Sequence, residues 1–271
     1  MPTLTTITPV WNRSEVLRLW LRNLRAVTLS SVHHLVYFVD ELPPDWWNDE
    51  APTNATPVTS VAWKKNEHSI GYYHNIGARE ATSEWIMKLD VDTFPNSFYF
   101  DRLCSVLLYT GPRVWYNGGM FYLSKTHSNL LKVPLDSPAY LWIMENRESY
   151  SASPYLLPAA TNFICRRYDY LNLGGCSERF KGYGWEDYQQ IYMLEKHQKM
   201  IDPLPGEINF KNVTGRCRDE ISRPKAKELW MRDKMLCLLH RWHVVEHGAH
   251  MNENRQVLLD YIKEHRNEQN R

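Results

Sequence analysis

The first hundred residues alternate short apolar segments with helical segments, and this pattern restricts the fold more than any other feature of the sequence. Apolar residues from Val16 to Leu24 recur at helical spacing, and His74–Thr82 reads as a second helix. The strand-like segments are Leu4–Thr8, Leu35–Val39, Val58–Trp63 and Trp85–Leu89. Such an alternation of strands and helices predicts an α/β fold built on a parallel sheet.

Polar residues follow three of the predicted strands directly. Asn12 and Arg13 come after the first strand, Asp40 after the second, and Asp90 and Asp92 after the fourth. Ligands of open α/β sheets bind at the carboxyl ends of the strands. We therefore expect these five side chains to line one ligand site.

The Asp90-Val-Asp92 motif is a candidate cation site. Two carboxylates separated by one residue can share a divalent cation, and such a cation can neutralise a diphosphate. A lone motif of this kind is often a pair of solvated loop acids. Here the preceding Trp-Ile-Met-Lys-Leu strand favours the metal interpretation. An aspartyl-nucleophile phosphatase would need Thr or Val two positions after the second Asp, where this chain has Phe94.

The segment Gly182-Tyr-Gly-Trp-Glu-Asp187 is the second candidate site. Its two glycines allow a ligand close to the backbone, and Trp185 offers a face on which a sugar can stack. One of the adjacent acids, Glu186 or Asp187, can accept a proton from a hydroxyl while the other positions it. The alternative is that both acids only favour the start of a helix.

A group of histidines near the C-terminus is the third candidate. His240, His243, His247 and His250 follow one another at spacings of three and four, which predicts that several share one helix face. One of them is expected to complete a metal site begun by Asp92, because neutral imidazole binds transition metals. Ordinary surface histidines and a separate zinc site are the alternatives.

Bulk composition excludes several classes of protein. The net charge of +1 gives no global field for nucleic acid or an anionic membrane. The five cysteines contain no Cys-x-x-Cys pair, which argues against a disulfide framework and a cysteine zinc site. The sequence has no apolar segment long enough to span a bilayer and no signal peptide at its start. We expect a cytoplasmic protein; its oligomeric state is left open.

Four segments, in order, resemble the beta-1,4-galactosyltransferases. Thr6-Ile-Thr-Pro-Val-Trp-Asn-Arg13 is similar to their Pro-Phe-Arg-Asn-Arg opening, and Asn75-Ile-Gly resembles their Asn-Val-Gly segment before the D-x-D strand. Gly174-Gly-Cys-Ser-Glu-Arg-Phe and Gly184-Trp-Glu-Asp187 are similar to their Gly-Gly-Phe and Trp-Gly-Trp-Gly-Gly-Glu-Asp block. Bacterial chondroitin-polymerase-like enzymes and polypeptide N-acetylgalactosaminyltransferases share this arrangement. The resemblance runs from Thr3 to about Arg255.

The resemblance implies a GT-A fold, with a Rossmann-like nucleotide-binding half, a mixed sheet and an acceptor-facing half. It implies one domain over residues 1–250, divided into a nucleotide-sugar half (1–100) and an acceptor half (101–250). Residues 251–271 would form a C-terminal helix and tail. It also implies an inverting mechanism with Mn²⁺ or Mg²⁺.

Carried over by position, the resemblance assigns roles to the candidate residues. Asp187 is the implied general base, and Glu186 is an acceptor or donor-sugar contact. Asp92 and His243 are the implied metal ligands, with His240 as the alternative histidine and Asp90 on the metal or the ribose. The implied donor-binding residues are Pro9, Asn12, Arg13, Asp40, Asn75, Asp90 and Trp185.

The predicted function is transfer of a sugar from a nucleoside-diphosphate sugar, by resemblance a UDP-sugar, to a hydroxyl of a saccharide. Tyr183 and Ala160-Thr161 depart from the galactosyltransferase motifs, so galactose specificity is not implied. One alternative acceptor is a hydroxymethylated base in phage DNA, because Lys211–Arg241 holds nine Lys/Arg against four Asp/Glu. The other alternative is a non-catalytic nucleotide-sugar-binding module.

Overall fold

A mixed sheet forms the centre of the computed structural model, which describes residues 3–39, 41–59, 68–110, 115–146, 157–197, 233–243 and 250–266. Within these ranges the sheet has eight strands in the order β3-β2-β1-β4-β7-β6-β8-β5. The strands are β1 Leu4–Val10, β2 Val32–Phe38, β3 Ala55–Thr59, β4 Trp85–Lys88, β5 Thr93–Phe94, β6 Trp115–Tyr122, β7 Leu157–Arg166 and β8 Cys237–His240.

The first four strands are mutually parallel, and the sheet then changes direction. β1 lies between β2 and β4, and β2 pairs with β3. β7 runs antiparallel to both β4 and β6, whereas β8 is parallel to β6 and antiparallel to β5. The parallel half and the α/β fold predicted from the sequence are confirmed. Because β4 pairs directly with β7, the two halves of the chain contribute to one continuous sheet.

Helices cover both faces of this sheet. They are α1 Ser14–Val27, α2 Trp47–Glu50, α3 Ile70–Glu80, α4 Tyr99–Leu108, α5 Lys125–Leu130, α6 Ser137–Glu145, α7 Arg167–Asn172, α8 Glu186–His197 and α9 Met251–Arg266. A 3₁₀ turn, Lys234–Leu236, precedes β8. The predicted loop Leu42–Pro57 contains the short helix α2 and the start of β3.

Alternate residues of the strands enter two different cores, as expected for a sheet buried on both faces. Leu4 of β1 packs in the core formed with α1, α4 and α6, in which Trp20 is fully buried. Ile7 of the same strand packs in the core formed with α3 and α8, together with Tyr73. Trp20 also donates its indole N–H to the carbonyl of Thr93 at 2.9 Å. These contacts fix the turn between β4 and β5, where the acidic motif lies.

The prediction that the C-terminal histidines share a helix face is wrong. His240 is the last residue of strand β8, and His243 lies in the irregular segment after it. The apolar run Cys237–Leu239 is buried between β6 and β5, and this burial favours a strand over a helix at that position. His250 precedes α9, and His247 lies outside the described residues.

The C-terminal helix α9 packs against α8. Leu258 and Ile262 of α9 form a small core with Tyr192 of α8 and with Cys176 and Phe180 from the segment before it. None of the helices in the part of the chain that the structure describes has the length and apolar character needed to cross a bilayer. Because Leu258 and Ile262 pack in this small core, the helix that the sequence predicts after residue 250 is part of the packed structure around α8.

Candidate active site

The turn after β4 places Asp92 next to two histidines. Thr93 donates its backbone N–H and its hydroxyl to the carbonyl of Asp90, at 3.1 and 2.6 Å, and so closes the turn. Thr93 of β5 pairs with His240 of β8, and the carbonyl of Asp92 accepts the N–H of Arg241 at 2.8 Å. Two segments about 150 residues apart in sequence are thereby joined beside the acidic motif.

Asp92, His240 and His243 form a cluster with the geometry of a metal site. Oδ2 of Asp92 lies 3.2 Å from Nε2 of His243, and its Oδ1 lies 3.6 Å from Nε2 of His240. One ligand atom from each residue lies within 4.8 Å of the other two. Oδ1 of Asp92 is buried and has no hydrogen-bond partner, as expected of an oxygen atom that binds a cation. A carboxylate with two imidazoles suits a divalent transition metal.

The charge states of this cluster also fit a cation. Burial opposes the ionisation of Asp92, but His240, His243 and Arg13 together hold its pKa below the ordinary value. Burial lowers the pKa of His240, although the charge of Asp92 partly opposes this. A carboxylate that stays ionised beside a histidine that stays neutral is the protonation state in which both bind metals.

Arg13 connects the end of β1 to this cluster. Its Nη2 lies 3.3 Å from Nδ1 of His243. The other ring nitrogen of His243, Nε2, faces Asp92. Asn12, just before it, has a φ of +48°, an uncommon conformation that re-directs the chain as β1 ends. Pro9 is half-buried within β1. Asp40 lies outside the described residues, so its predicted role stays a prediction.

A buried ion pair joins β4 to the first turn of α8. The ammonium group of Lys88 contacts Oδ1 of Asp187, and the two side chains are only 2% and 14% exposed. Burial alone would lower the pKa of Lys88, but the charges of Asp187, Asp90 and Glu186 outweigh burial and raise it. Lys88 is therefore a permanent cation, and it lies four residues before the candidate metal ligand Asp92.

Glu186 differs sharply from its neighbour Asp187. Its side chain is fully buried, and neither carboxylate oxygen has a hydrogen-bond partner. Burial and the charge of Asp187 raise its pKa to about 8, although Lys88 partly opposes the shift. At neutral pH Glu186 is mainly the uncharged acid. A buried acid with a strongly raised pKa, next to a second acid that pairs with a lysine, is typical of sites that perform acid–base chemistry.

The loop before α8 has an unusual backbone. Gly182, Gly184 and even Trp185 adopt positive φ values of +59°, +109° and +71°. Positive φ at a bulky residue such as Trp is strained and persists where the surroundings enforce it. The Trp185 ring packs against Tyr188, with centroids 5.4 Å apart. Gly182 also forms a β-bridge with Ser69, just before α3.

Tyr183 of this loop faces the charged residues. Burial of its hydroxyl raises its pKa, and Asp187, Glu186 and Asp90 raise it further. Tyr183 is nevertheless 40% exposed.

Asn75 has its amide engaged by protein groups. Its Oδ1 accepts the N–H of Cys176 at 2.8 Å and the hydroxyl of Tyr170 at 2.9 Å, and its Nδ2 donates to the carbonyl of Cys176 at 2.7 Å. These bonds tie α3 to the Gly174-Gly175 turn. The predicted contact of Asn75 with a donor stays a prediction. The structure shows that its amide stabilises the packing of α3 against this turn.

Two buried residues near the site were not identified from the sequence. Lys88 is the only charged residue in the apolar segment Trp85–Leu89. A charge within an otherwise apolar strand is the feature that could have identified it. His74 of α3 is buried and neither ring nitrogen has a hydrogen-bond partner. Burial and the nearby charge of Lys88 hold the pKa of His74 well below its ordinary value. Its neutral ring therefore adds no second cation beside Lys88.

Three solved structures to which this chain is similar are glycosyltransferases, each with low sequence identity. The mannosyltransferase PcManGT from Pyrobaculum calidifontis, in complex with GDP-Man and Mn²⁺, is 18% identical over 71% of this chain and 52% of its own, with a TM-score of 0.42. S. aureus TarS 1–349 in complex with UDP is 14% identical over 73% and 55%, with a TM-score of 0.49. The catalytic domain of Drosophila beta1,4galactosyltransferase 7, in complex with xylobiose, is 15% identical over 74% and 63%, with a TM-score of 0.39.

The chain spans between about half and two thirds of the length of these three structures. No curated protein is significantly similar to it in sequence. The family model of the glycosyltransferase like family 2 matches residues 54–224, which is more than half of the chain and includes the Asp90–Asp92 motif and the start of α8. The chain therefore belongs to the glycosyltransferase like family 2.

Proposed function

We propose that the chain transfers a sugar from a nucleoside-diphosphate sugar, specifically a UDP-sugar, to a hydroxyl group of a saccharide with inversion at the anomeric carbon. The observation that carries the proposal is the proximity of two different sites. Lys88, which pairs with Asp187, is the last residue of β4, and Asp92, which lies beside His240 and His243, follows four residues later. A site for a diphosphate and a site for a proton thus share one end of the sheet.

Asp92, His240 and His243 would hold a divalent cation, Mn²⁺ or Mg²⁺. Bound there, the cation would supply positive charge to the diphosphate leaving group. Arg13, beside His243, is placed to add a charge-assisted hydrogen bond to the same phosphates. Pro9, Asn12 and Asp40 would surround the nucleotide, as the sequence resemblance implies, and Asp90 would bind the ribose or the metal.

Asp187 is the proposed general base. As the acceptor oxygen bonds to the anomeric carbon, its proton moves to the carboxylate of Asp187, and the sugar–phosphate bond breaks with its electron pair retained by the diphosphate. Lys88 keeps Asp187 oriented through their ion pair. Glu186, mainly uncharged at neutral pH, is the proposed contact of a sugar hydroxyl. Trp185 would stack on the donor sugar.

The alternatives differ in what they require of this site. A non-catalytic nucleotide-sugar-binding module has no need of a base, and the buried pair of Lys88 with Asp187 would serve no purpose in it beyond stability. The modified-DNA acceptor rests on the basic segment Lys211–Arg241, most of which lies outside the described residues. It stays an alternative from the sequence alone.

Thermal stabilisation by nucleotides tests the proposal. A ligand that binds only the folded state raises the melting temperature by an amount that increases with the logarithm of its concentration relative to its Kd. UDP, GDP, ADP, CDP and several UDP-sugars would be added with and without Mn²⁺ to the wild type, to Asp92→Ala and to the control Asp101→Ala, at an exposed residue of α4. We expect a Mn²⁺-dependent shift with UDP that Asp92→Ala removes and Asp101→Ala retains. No shift with any nucleotide would contradict the transferase proposal.

A further inference from the structure

The C-terminal helix α9 contacts the loop that leads to the proposed base, and this contact is concentrated in one side chain. Asn254 is 1% exposed. Its Nδ2 donates to the carbonyls of Lys181 at 2.7 Å and Gly184 at 3.1 Å, and its Oδ1 accepts the N–H of Lys181 at 3.0 Å. A longer contact of 3.4 Å reaches the carbonyl of Tyr183.

We infer that Asn254 is a positioning residue for the catalytic loop Lys181–Trp185: it fixes the loop conformation that sets Asp187 beside Lys88. This inference rests on the proposed function for the role of Asp187. Asn254 lies beyond residues 54–224, the part of the chain that the family model matches. The inference therefore assigns a task at the proposed active site to a segment outside that match.

The first support is the match between the side chain and the loop. The loop carries positive φ values at Gly182, Gly184 and Trp185, so its carbonyl and N–H groups do not follow a helix or a strand. Backbone groups of this kind, when buried, need partners from elsewhere in the protein. An amide side chain has both donors and an acceptor, and Asn254 uses both kinds. Neither Asp nor Leu could satisfy both sets of loop groups.

The second support is a steric contact at the same place. Met251, at the start of α9, occupies the space that a Cβ atom on Gly184 would need. The loop thus contacts α9 at Gly184, and it is bridged to Ser69 at Gly182. The residue that follows this loop is Glu186, and Asp187 comes next on the first turn of α8. A change in the loop is transmitted to Asp187 over three peptide bonds from Gly184.

A matched control separates the loop contact from simple attachment of the helix. Arg179 pairs with Asp260 at 3.3 Å and with Glu264 at 3.2 Å, also on α9. All three side chains are at least 40% exposed, so these pairs contribute little to stability. Arg179→Ala removes these two ion pairs of the same helix without touching Asn254. The two variants therefore differ in the feature that the inference concerns.

The experiment combines hydrogen exchange with steady-state kinetics on the full chain. Exchange would be followed by mass spectrometry in peptides that cover residues 181–187, in the wild type, Asn254→Ala, Asn254→Asp and Arg179→Ala. Kinetics would follow UDP release from UDP-glucose, UDP-galactose and UDP-N-acetylglucosamine with Mn²⁺, in the presence of a mixture of oligosaccharides as acceptors. Asn254→Asp keeps the acceptor of Lys181 N–H and loses the donor, so it tests the inference if Asn254→Ala does not fold.

We expect Asn254→Ala to accelerate exchange of residues 181–187 at least about tenfold and to lower kcat at least about tenfold, with the donor KM changed less than about threefold. Arg179→Ala should leave all three quantities near the wild type. Unchanged exchange in the Asn254 variants, or equal effects of Arg179→Ala, would overturn the inference. If the wild type releases no UDP from any of these donors, the proposed function fails on that point, and the exchange data alone still decide whether Asn254 orders the loop.

Discussion

Lys88 and Asp187 form a buried ion pair that connects a central strand to the first turn of α8, across 99 positions of sequence. Lys88 is almost fully buried, and Asp187 retains 14% of its side-chain exposure. The ammonium group is thus satisfied by a carboxylate that can also reach the surface of the site. The pair serves the fold and the proposed chemistry at once, so the two contributions have to be separated by experiment.

Replacing Lys88 should destabilise the protein more than replacing both partners. Lys88→Met leaves the carboxylate of Asp187 partly buried and uncompensated, and the loss of one member of a buried pair costs about 3 kcal/mol in the free energy of unfolding. Lys88→Met/Asp187→Asn removes both charges and should recover most of that loss. Urea unfolding of the wild type, both single variants and the double variant gives the coupling energy. A coupling energy near zero would show that the pair does not contribute to stability.

Asp187→Asn should remove turnover and retain donor binding. The amide keeps an oxygen for the Lys88 ammonium group but cannot accept the proton of a hydroxyl at neutral pH. General bases contribute roughly 100- to 10,000-fold to rate, so kcat for sugar transfer should fall by that factor. The Mn²⁺-dependent affinity for UDP, measured by calorimetry, should change less than about threefold. Near-normal turnover would refute the assignment of Asp187 as the base.

Glu186 should make the stability of the fold fall as the pH rises from about 4.5 toward 8. Its pKa in the folded protein is raised to about 8 from the ordinary 4.5, chiefly by burial and by the charge of Asp187. Between these two values the folded state binds a proton that the unfolded state has released. The free energy of unfolding therefore decreases with pH, by at most about 1.4 kcal/mol per pH unit.

The test of this pH dependence is a comparison with Glu186→Gln. That variant has no titrating group at position 186, so its melting temperature should fall less between pH 5 and pH 8 than that of the wild type. Lys88 does not interfere, because a lysine with a raised pKa loses its stabilising effect only at alkaline pH. Parallel pH profiles of the two proteins would mean that Glu186 is ionised in the folded state at neutral pH.

Both His240 and His243 should be needed for metal binding. Each places a ring nitrogen near a different oxygen of Asp92, at 3.6 and 3.2 Å. Loss of either imidazole removes one of three clustered ligands, and we expect His240→Ala and His243→Ala each to weaken Mn²⁺ binding at least about 100-fold. The control is His250→Ala, since His250 pairs with Glu253 on α9. Calorimetric titration with Mn²⁺ and UDP measures the effect; wild-type affinity in either variant would exclude that histidine as a ligand.

The parts of this site that follow from the sequence are those that lie next to a strand. The runs before Asn12 and Asp90 are apolar and β-branched, so their burial and the exposure of the next polar residue could be predicted locally. The position of His240 could not be predicted in this way. Cys237–Leu239 is short and apolar, and it is a strand because β6 and β5 lie on either side of it.

Long-range contacts account for the rest. The sequence marks Lys88 as an unusual residue in its strand, but only the antiparallel placement of β7 beside β4 and the packing of α8 bring Asp187 to it. Asn254 has no local signature, because its partners are backbone groups 70 to 73 positions earlier. The motif predicts a donor contact for Asn75, which stays a prediction; that the amide of Asn75 bonds to the backbone of Cys176 has no signal in the sequence. A motif identifies a residue type and its position, and tertiary packing decides its partners.

Gly184→Ala should be more damaging than Gly174→Ala, although both glycines have positive φ values, of +109° and +83°. At Gly174 a Cβ atom would meet nothing within 4 Å, so the cost is the backbone conformation alone, about 1–2 kcal/mol. At Gly184 a Cβ atom would overlap the Sδ of Met251, a flexible side chain that has to move, so we expect about 1 kcal/mol more and a loss of sugar transfer. Urea unfolding and the transfer rate of the two variants measure the difference. Gly184→Ala/Met251→Ala makes room for the added methyl group and should recover part of the loss in stability. Equal costs for the two single variants would show that Met251 moves aside freely, and that α9 does not confine the loop at Gly184.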